Sequence, residues 1–150
     1  MRLKLTEDQI HFIIKEAEKK HPIEVCGALF GKLNGNEARV KKIVVLKNIL
    51  RSETRFKIDP EEFLEAFFKA EAEGLQHLGF FHSHISSPHP SPRDLEGMKM
   101  WPETIWLIVS ALNYELAAYR MVDGKLQEVS ISDDNPHSSQ LDSNIEKQKK

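Results

Sequence analysis

The first periodic stretch of the chain is helical. Ile10, Ile13, Ile14 and Ala17 fall on one face, Thr6 and Gln9 open it with a T-x-x-Q capping box, and Pro22 stops it. Cys26 to Leu33 then reads as a strand, Asn34-Gly35 as a turn, and Arg39 to Leu46 as a second strand. The segment KNILRSETRF, residues 47–56, is polar and shows neither period. A second helix begins at DPEEF, with Asp59 as N-cap and Pro60 at its first position. Phe63, Phe67 and Ala70 mark its buried stripe, Leu64 and Phe68 widen it, and Gly74 ends it.

A strand is expected from Gln76 to His84, a loop from Ile85 to Pro90, and a short helix in SPRDLEGMKM. IWLIVSAL is apolar enough for a central strand, and ELAAYRMV, Asp123-Gly124 and KLQEVSI form a closing hairpin. The expected fold class is α/β: a single domain over residues 1–132, a mixed β-sheet flanked by three helices. Residues 133–150 form a polar tail with few apolar positions, expected to stay flexible.

Composition narrows the class. A chain of 150 residues supports one domain with a full core, and 40% hydrophobic with 29% charged residues is globular. A net charge of -2 offers no bulk attraction to nucleic acid. No apolar run approaches a membrane span, and MRLKLTEDQI lacks the apolar core of a signal peptide. Cys26 is the single cysteine, so no intrachain disulfide forms and a cytoplasmic setting is expected.

The chemistry concentrates in GFFHSHISSPHPSPRD, residues 79–94. On a strand Leu78, Phe80, His82 and His84 share one side, and Phe81 and Ser83 the other. The two imidazoles can then converge on one point at the strand's end. Catalytic zinc takes three protein ligands plus water, and Asp94 is the natural third, returned by the loop onto the next helix. Ser91 and Asp94 also form an S-x-x-D capping box with Pro92 at the first helical position, which explains both without a metal. Capping, however, does not call for two histidines on one face just upstream. A hydrolytic site also needs a proton carrier. Glu24, between the first helix and the first strand, is the candidate, against the reading of an ordinary exposed carboxylate. His89 is expected to be an exposed loop residue, Cys26 a small buried one, His11, His21 and His77 to carry no constellation, and His137 to belong to the tail.

E-V-C-G-A-L-F-G, followed about sixty residues later by G-F-F-H-S-H, a proline-rich loop and P-S-P-R-D, resembles the JAMM (MPN+) zinc metalloproteases over Glu24 to Met121. The resemblance implies a cytidine-deaminase-like fold, Zn²⁺ bound by His82, His84 and Asp94, Glu24 as general acid/base, and Ser91 steadying the oxyanion. One departure bears on Ser91: the family pattern has seven residues between the second histidine and the serine, and here there are six, Ile85 to Pro90.

The implied activity is hydrolysis of the amide or isopeptide bond after the C-terminal tail of a ubiquitin-like modifier. Only ten residues separate Asp94 from IWLIVSAL, too few for a linkage-selecting insertion, so a compact archaeal or bacterial form is expected. The alternatives are release of cysteine or another small adduct from a sulfur-carrier protein, and a non-catalytic MPN-type interaction module. Expected partners are conjugates of such modifiers or carriers, with no nucleic acid, no membrane, and a homodimer left open.

Overall fold

The computed structural model describes residues 1–53 and 55–134; His137 and the rest of the expected tail from Asn135 lie outside them. Its elements run β1 (Arg2–Leu5), α1 (Glu7–Lys20), β2 (Cys26–Asn34), β3 (Glu37–Leu46), α2 (Pro60–Ala72), β4 (Gln76–His84), α3 (Pro92–Met100), β5 (Ile105–Ser110), β6 (Leu116–Val122) and β7 (Lys125–Asp133). The α/β class, mixed sheet and three helices match expectation. β1 does not: Leu3 and Leu5 alternate with Arg2 and Lys4 over four residues, too short a pattern to distinguish from a helix lead-in.

The strands follow the order β1-β3-β2-β4-β5-β6-β7 and close into a barrel. β1 is the closing strand and pairs in parallel with both β3 and β7. β4 and β5 are also parallel, while the remaining neighbours are antiparallel. β5 is buried along its whole length, and its side chains alternate between two cores. Ile105, Leu107 and Val109 enter a cluster with Leu3, Leu5, Leu29, Phe81 and the Ile13–Ala17 face of α1. Trp106 and Ile108 enter a second, with Phe30, Phe80, Ala66 and Ala70 of α2, and Met98 of α3.

The helix starts are as the sequence implies. Thr6 Oγ1 accepts from Gln9 N at 3.1 Å, and Gln9 Oε1 accepts from Thr6 N at 2.9 Å. Asp59 caps α2 by accepting from Glu61 N at 3.0 Å. The stripe of α2 is rotated from the expected one: Ala66 and Ala70 are buried with Phe63 and Phe67 against them, whereas Leu64 is 50% and Phe68 61% exposed. Ala66 lies beside Val44 and Leu46 of β3.

β4 also departs from strict alternation. Its pairing with β2 steps from Leu29↔Gly79 to Phe30↔His77, leaving Leu78 as the extra residue of a bulge. Leu78 therefore packs with Phe81 in the first core, not on the side of Phe80. His77 enters the aromatic cluster instead, its ring centroid 4.7 Å from Phe80 and 5.1 Å from Phe63. At Gly79 a side chain would collide with the Ile105 carbonyl, so glycine is what brings β4 and β5 together below the histidines. Among the described residues no helix is long and apolar enough to cross a membrane.

Candidate metal centre

β4 delivers the histidines from inside the sheet. His82 pairs with Cys26 of β2 and Ile108 of β5, and it is fully buried. His84, at the strand's end, is half-buried. Between them Ser83 faces the other way and clamps the approach to β2: its Oγ accepts from Val25 N at 2.9 Å, and its N–H donates to Val25 O at 2.9 Å. That holds the backbone beside Glu24, whose side chain sits with the histidines. Opposite them α3 begins. Ser91 is its N-cap: Ser91 Oγ accepts from Asp94 N at 3.1 Å, and Asp94 Oδ2 accepts from Ser91 N at 2.9 Å. The capping box and the convergence with the histidines coexist in one carboxylate, because the cap fixes the direction of Asp94.

Three donor atoms meet edge to edge. The two Nε2 atoms are 3.2 Å apart, and Asp94 Oδ2 lies 3.2 Å from that of His82 and 3.0 Å from that of His84. A tetrahedral zinc with bonds of roughly 2.0–2.1 Å would separate its ligands by about 3.3 Å, so this donor set fits a zinc ion. A ligand atom of Glu24 and the two histidines' nitrogens lie within 4.8 Å of one another, so a fourth group borders the same point. His84 Nδ1 is 3.2 Å from the Ser87 carbonyl, which can only accept; the proton therefore sits on Nδ1, and Nε2 presents its lone pair to the centre. His82 Nδ1 has no hydrogen-bond partner among the described residues. Its ring is held by stacking on Phe56, centroids 4.3 Å apart with 25° between planes.

The electrostatics separate the carboxylates. Burial pushes Glu24 up to about 7, with His84 acting against that shift and Asp94 adding to it. Asp94 is also opposed by burial, yet its contacts with His82 and His84 hold it far below the usual carboxylate range. Burial lowers the pKa of His82; at His84 the Asp94 contact outweighs burial and raises it. One carboxyl is thus fixed as an anion, and the other is poised to exchange a proton near neutrality.

Two clefts flank the centre. One of about 550 Å³ is walled by Phe56, Phe63, Phe80, Trp101 and Trp106 and reaches Ser91 and Asp94. The other, about 520 Å³, contains Glu24 beneath Lys19, Lys20, Lys47 and Arg51. Residues 47–58 contribute to both. Cys26 is buried, with Sγ 3.6 Å from Leu46 O and a pKa pushed up to about 12, chiefly by burial, so it is no nucleophile. His89 is exposed as expected and lies 3.2 Å from Tyr119 Oη. His11 and His21 are exposed, and neither belongs to the group of Glu24, His82 and His84. Sequence reasoning missed Ser83 and Phe56. A serine facing away within an apolar strand was a signal for the first; the second needed the fold of the 47–58 segment.

The family model of prokaryotic homologs of the JAB domain matches residues 6–122. The desampylase of Pyrococcus furiosus is 48% identical over 110 residues, 73% of this chain and 75% of that one. The CysO-cysteine peptidase of Mycobacterium tuberculosis H37Rv is 28% identical over 134 residues, 87% of this chain and 90% of the relative. A solution structure of a protein from Desulfitobacterium hafniense superposes with a TM-score of 0.79 at 29% identity, covering 90% of this chain and 94% of the other.

Proposed function

Because the chain belongs to the family of prokaryotic homologs of the JAB domain, the JAMM/MPN family, we propose that it is a zinc-dependent JAMM-type isopeptidase. Its substrate is the amide bond after the C-terminal tail of a ubiquitin-like modifier. The observation that carries this is the meeting of His82 Nε2, His84 Nε2 and Asp94 Oδ2 within 3.2 Å of one another, beside the buried Glu24. Relatives named desampylase and CysO-cysteine peptidase support the substrate class.

His82, His84 and Asp94 would hold the metal. Zinc bound there would supply a Lewis acid for a scissile carbonyl and an attacking water. Glu24 accepts the proton of the attacking water and returns it to the leaving amine, a task suited to a carboxyl poised near 7. Ser91 Oγ accepts from Asp94 N, which leaves its O–H free to donate to the developing oxyanion. The six-residue loop before Ser91 does not prevent the capping geometry.

The cleft over Glu24 also supports the second substrate class. Lys19, Lys20, Lys47 and Arg51 would suit the free carboxylate of a small amino-acid leaving group, as in cleavage of a carrier adduct. A non-catalytic module has no use for a protonatable carboxyl buried beside filled ligand positions.

A panel of ubiquitin-like conjugates and a carrier–cysteine adduct, incubated with and without chelator, tests the reading. Chelation should remove about one equivalent of zinc and all cleavage together; a zinc-loaded protein that cleaves none of the panel would sink it. His82→Ala, His84→Ala and Asp94→Ala should each abolish zinc binding, measured by metal analysis, since three ligands are the minimum set. Glu24→Gln should keep its zinc and lose ~10²–10⁴-fold in turnover.

A further inference from the structure

The register of the β2–β3 ladder ends at Cys26↔Leu46, and continued by two residues it sets Asn48 opposite Glu24. The backbone does not continue it. Instead the Asn48 side chain, only 8% exposed, takes over. Its Nδ2 donates to Glu24 O at 3.1 Å and to Arg55 O at 3.1 Å. Its Oδ1 accepts from Leu50 N at 3.1 Å and from Lys57 N at 3.1 Å. That is every hydrogen bond a primary amide can make.

These four bonds join three stretches of chain. They cross the neck of the segment 48–58, which is also closed by the Asn48↔Ile58 bridge and by Ile49 N donating to Lys57 O at 3.0 Å. They reach Glu24, whose own N–H donates to Ser52 O in the segment at 3.0 Å. Glu24 lies outside the strand that follows it, so on this side its backbone is held by the segment and not by a ladder.

We propose that Asn48 is a positioning residue: it fixes the Glu24 backbone, and so the direction of its carboxylate, and ties that direction to the segment dividing the two clefts. The proposal rests on the reading of Glu24 as the proton carrier. Asn48 touches neither the donor atoms nor the reacting groups, so its effect passes through Glu24. Displacing a catalytic group by about 1 Å can cost ~10²-fold without removing it. The segment contributes Arg55, Phe56 and Lys57 to the aromatic cleft. A substrate that orders those residues would therefore align Glu24 in the same step.

Asn48→Asp keeps the shape and both acceptor bonds but loses both donors; Asn48→Ala loses all four bonds. Each is assayed on a short peptide substrate, with zinc content measured on the same sample. The expected result is a kcat lower by about 10- to 100-fold with KM changed less than about threefold and zinc retained. The deciding measurement is a double-mutant cycle with Glu24→Gln. If Asn48 acts through Glu24, Asn48→Asp should lower the residual rate of Glu24→Gln by less than about twofold. Additive losses, or a loss of zinc that accounts for the drop, overturn the proposal. If Asn48→Ala does not fold, the Asn48→Asp arm of the cycle stands alone. Full activity in both Asn48 variants with loss in Glu24→Gln overturns this proposal and leaves the isopeptidase reading intact. Full activity in Glu24→Gln overturns both.

Discussion

Phe56 illustrates how single residues divide the work at the centre. Histidine ligands usually have their second nitrogen held by a hydrogen bond, and His84 Nδ1 has such a partner in the Ser87 carbonyl. His82 Nδ1 has no such partner among the described residues, and its ring lies face to face with Phe56. Phe56→Ala should weaken zinc binding by roughly 10- to 100-fold, the cost typical of losing an outer-shell partner, in a titration against a competing chelator. An unchanged affinity would show that the strand alone orients the ring. The convergence of His82, His84 and Asp94 was legible in the sequence, because two-residue alternation and a capping box are local patterns. The contacts that support them were not: Ser83, Asn48 and Phe56 act across gaps of 58, 24 and 26 residues, on Val25, Glu24 and His82, and a serine within an apolar strand marks its own oddity but not its partner.

At the scale of elements, the helix starts were read closely because caps and prolines punctuate them, whereas the buried face of α2 was not. β4 kept its ends but hid its bulge, whose cause is the pairing with β2 and not anything within the strand. Through that bulge His77 is carried into the α2–β4 seam, where burial pushes its pKa down to about 4. Between that value and 6.5 the unfolded chain binds a proton that the folded one refuses. Stability is thus complete above about pH 6.5 and falls as pH drops, by at most about 3 kcal/mol. His77→Phe should remove that dependence, so its denaturation free energy should lose less than that of the wild type between pH 7 and pH 4. The 47–58 segment makes its own prediction. Arg51 and Arg55 are exposed beside opposite clefts. Arg51→Ala with Arg55→Ala should raise KM for a protein conjugate roughly 2- to 10-fold, with zinc content and short-peptide hydrolysis unchanged. Equal loss on both substrates would make the segment a support for the fold, not a docking element.

For the whole molecule, closure of the sheet was the feature hidden most completely. The strands that form the seam are β1 and β7, at opposite ends of the described chain, and a four-residue strand carries little periodic signal. Leu3 and Leu5 are fully buried at that seam. Leu5→Ala should cost about 2–5 kcal/mol in chemical denaturation, while the folded fraction keeps its zinc, since β2, β4 and α3 build the centre. A loss under about 1 kcal/mol would mean that the seam tolerates opening. Closure gives each strand of the barrel two neighbours, but β1 covers only Glu37–Arg39 of β3, so on the proposed reading an extended substrate tail would meet the segment 47–58, the cleft walls or the stretch of β3 beyond Arg39.

Those walls contain both tryptophans of the chain. Trp101 is 41% exposed at the rim, whereas Trp106 is 6% exposed with its ring 6.4 Å from that of His82. The unlabelled protein thus carries two indole fluorophores placed at different depths. Emission from the rim indole should shift to the blue as an occupant of the cleft displaces solvent, and that of the deep one should change with events at His82. Loading of the centre and filling of the cleft can be followed by light as separate events.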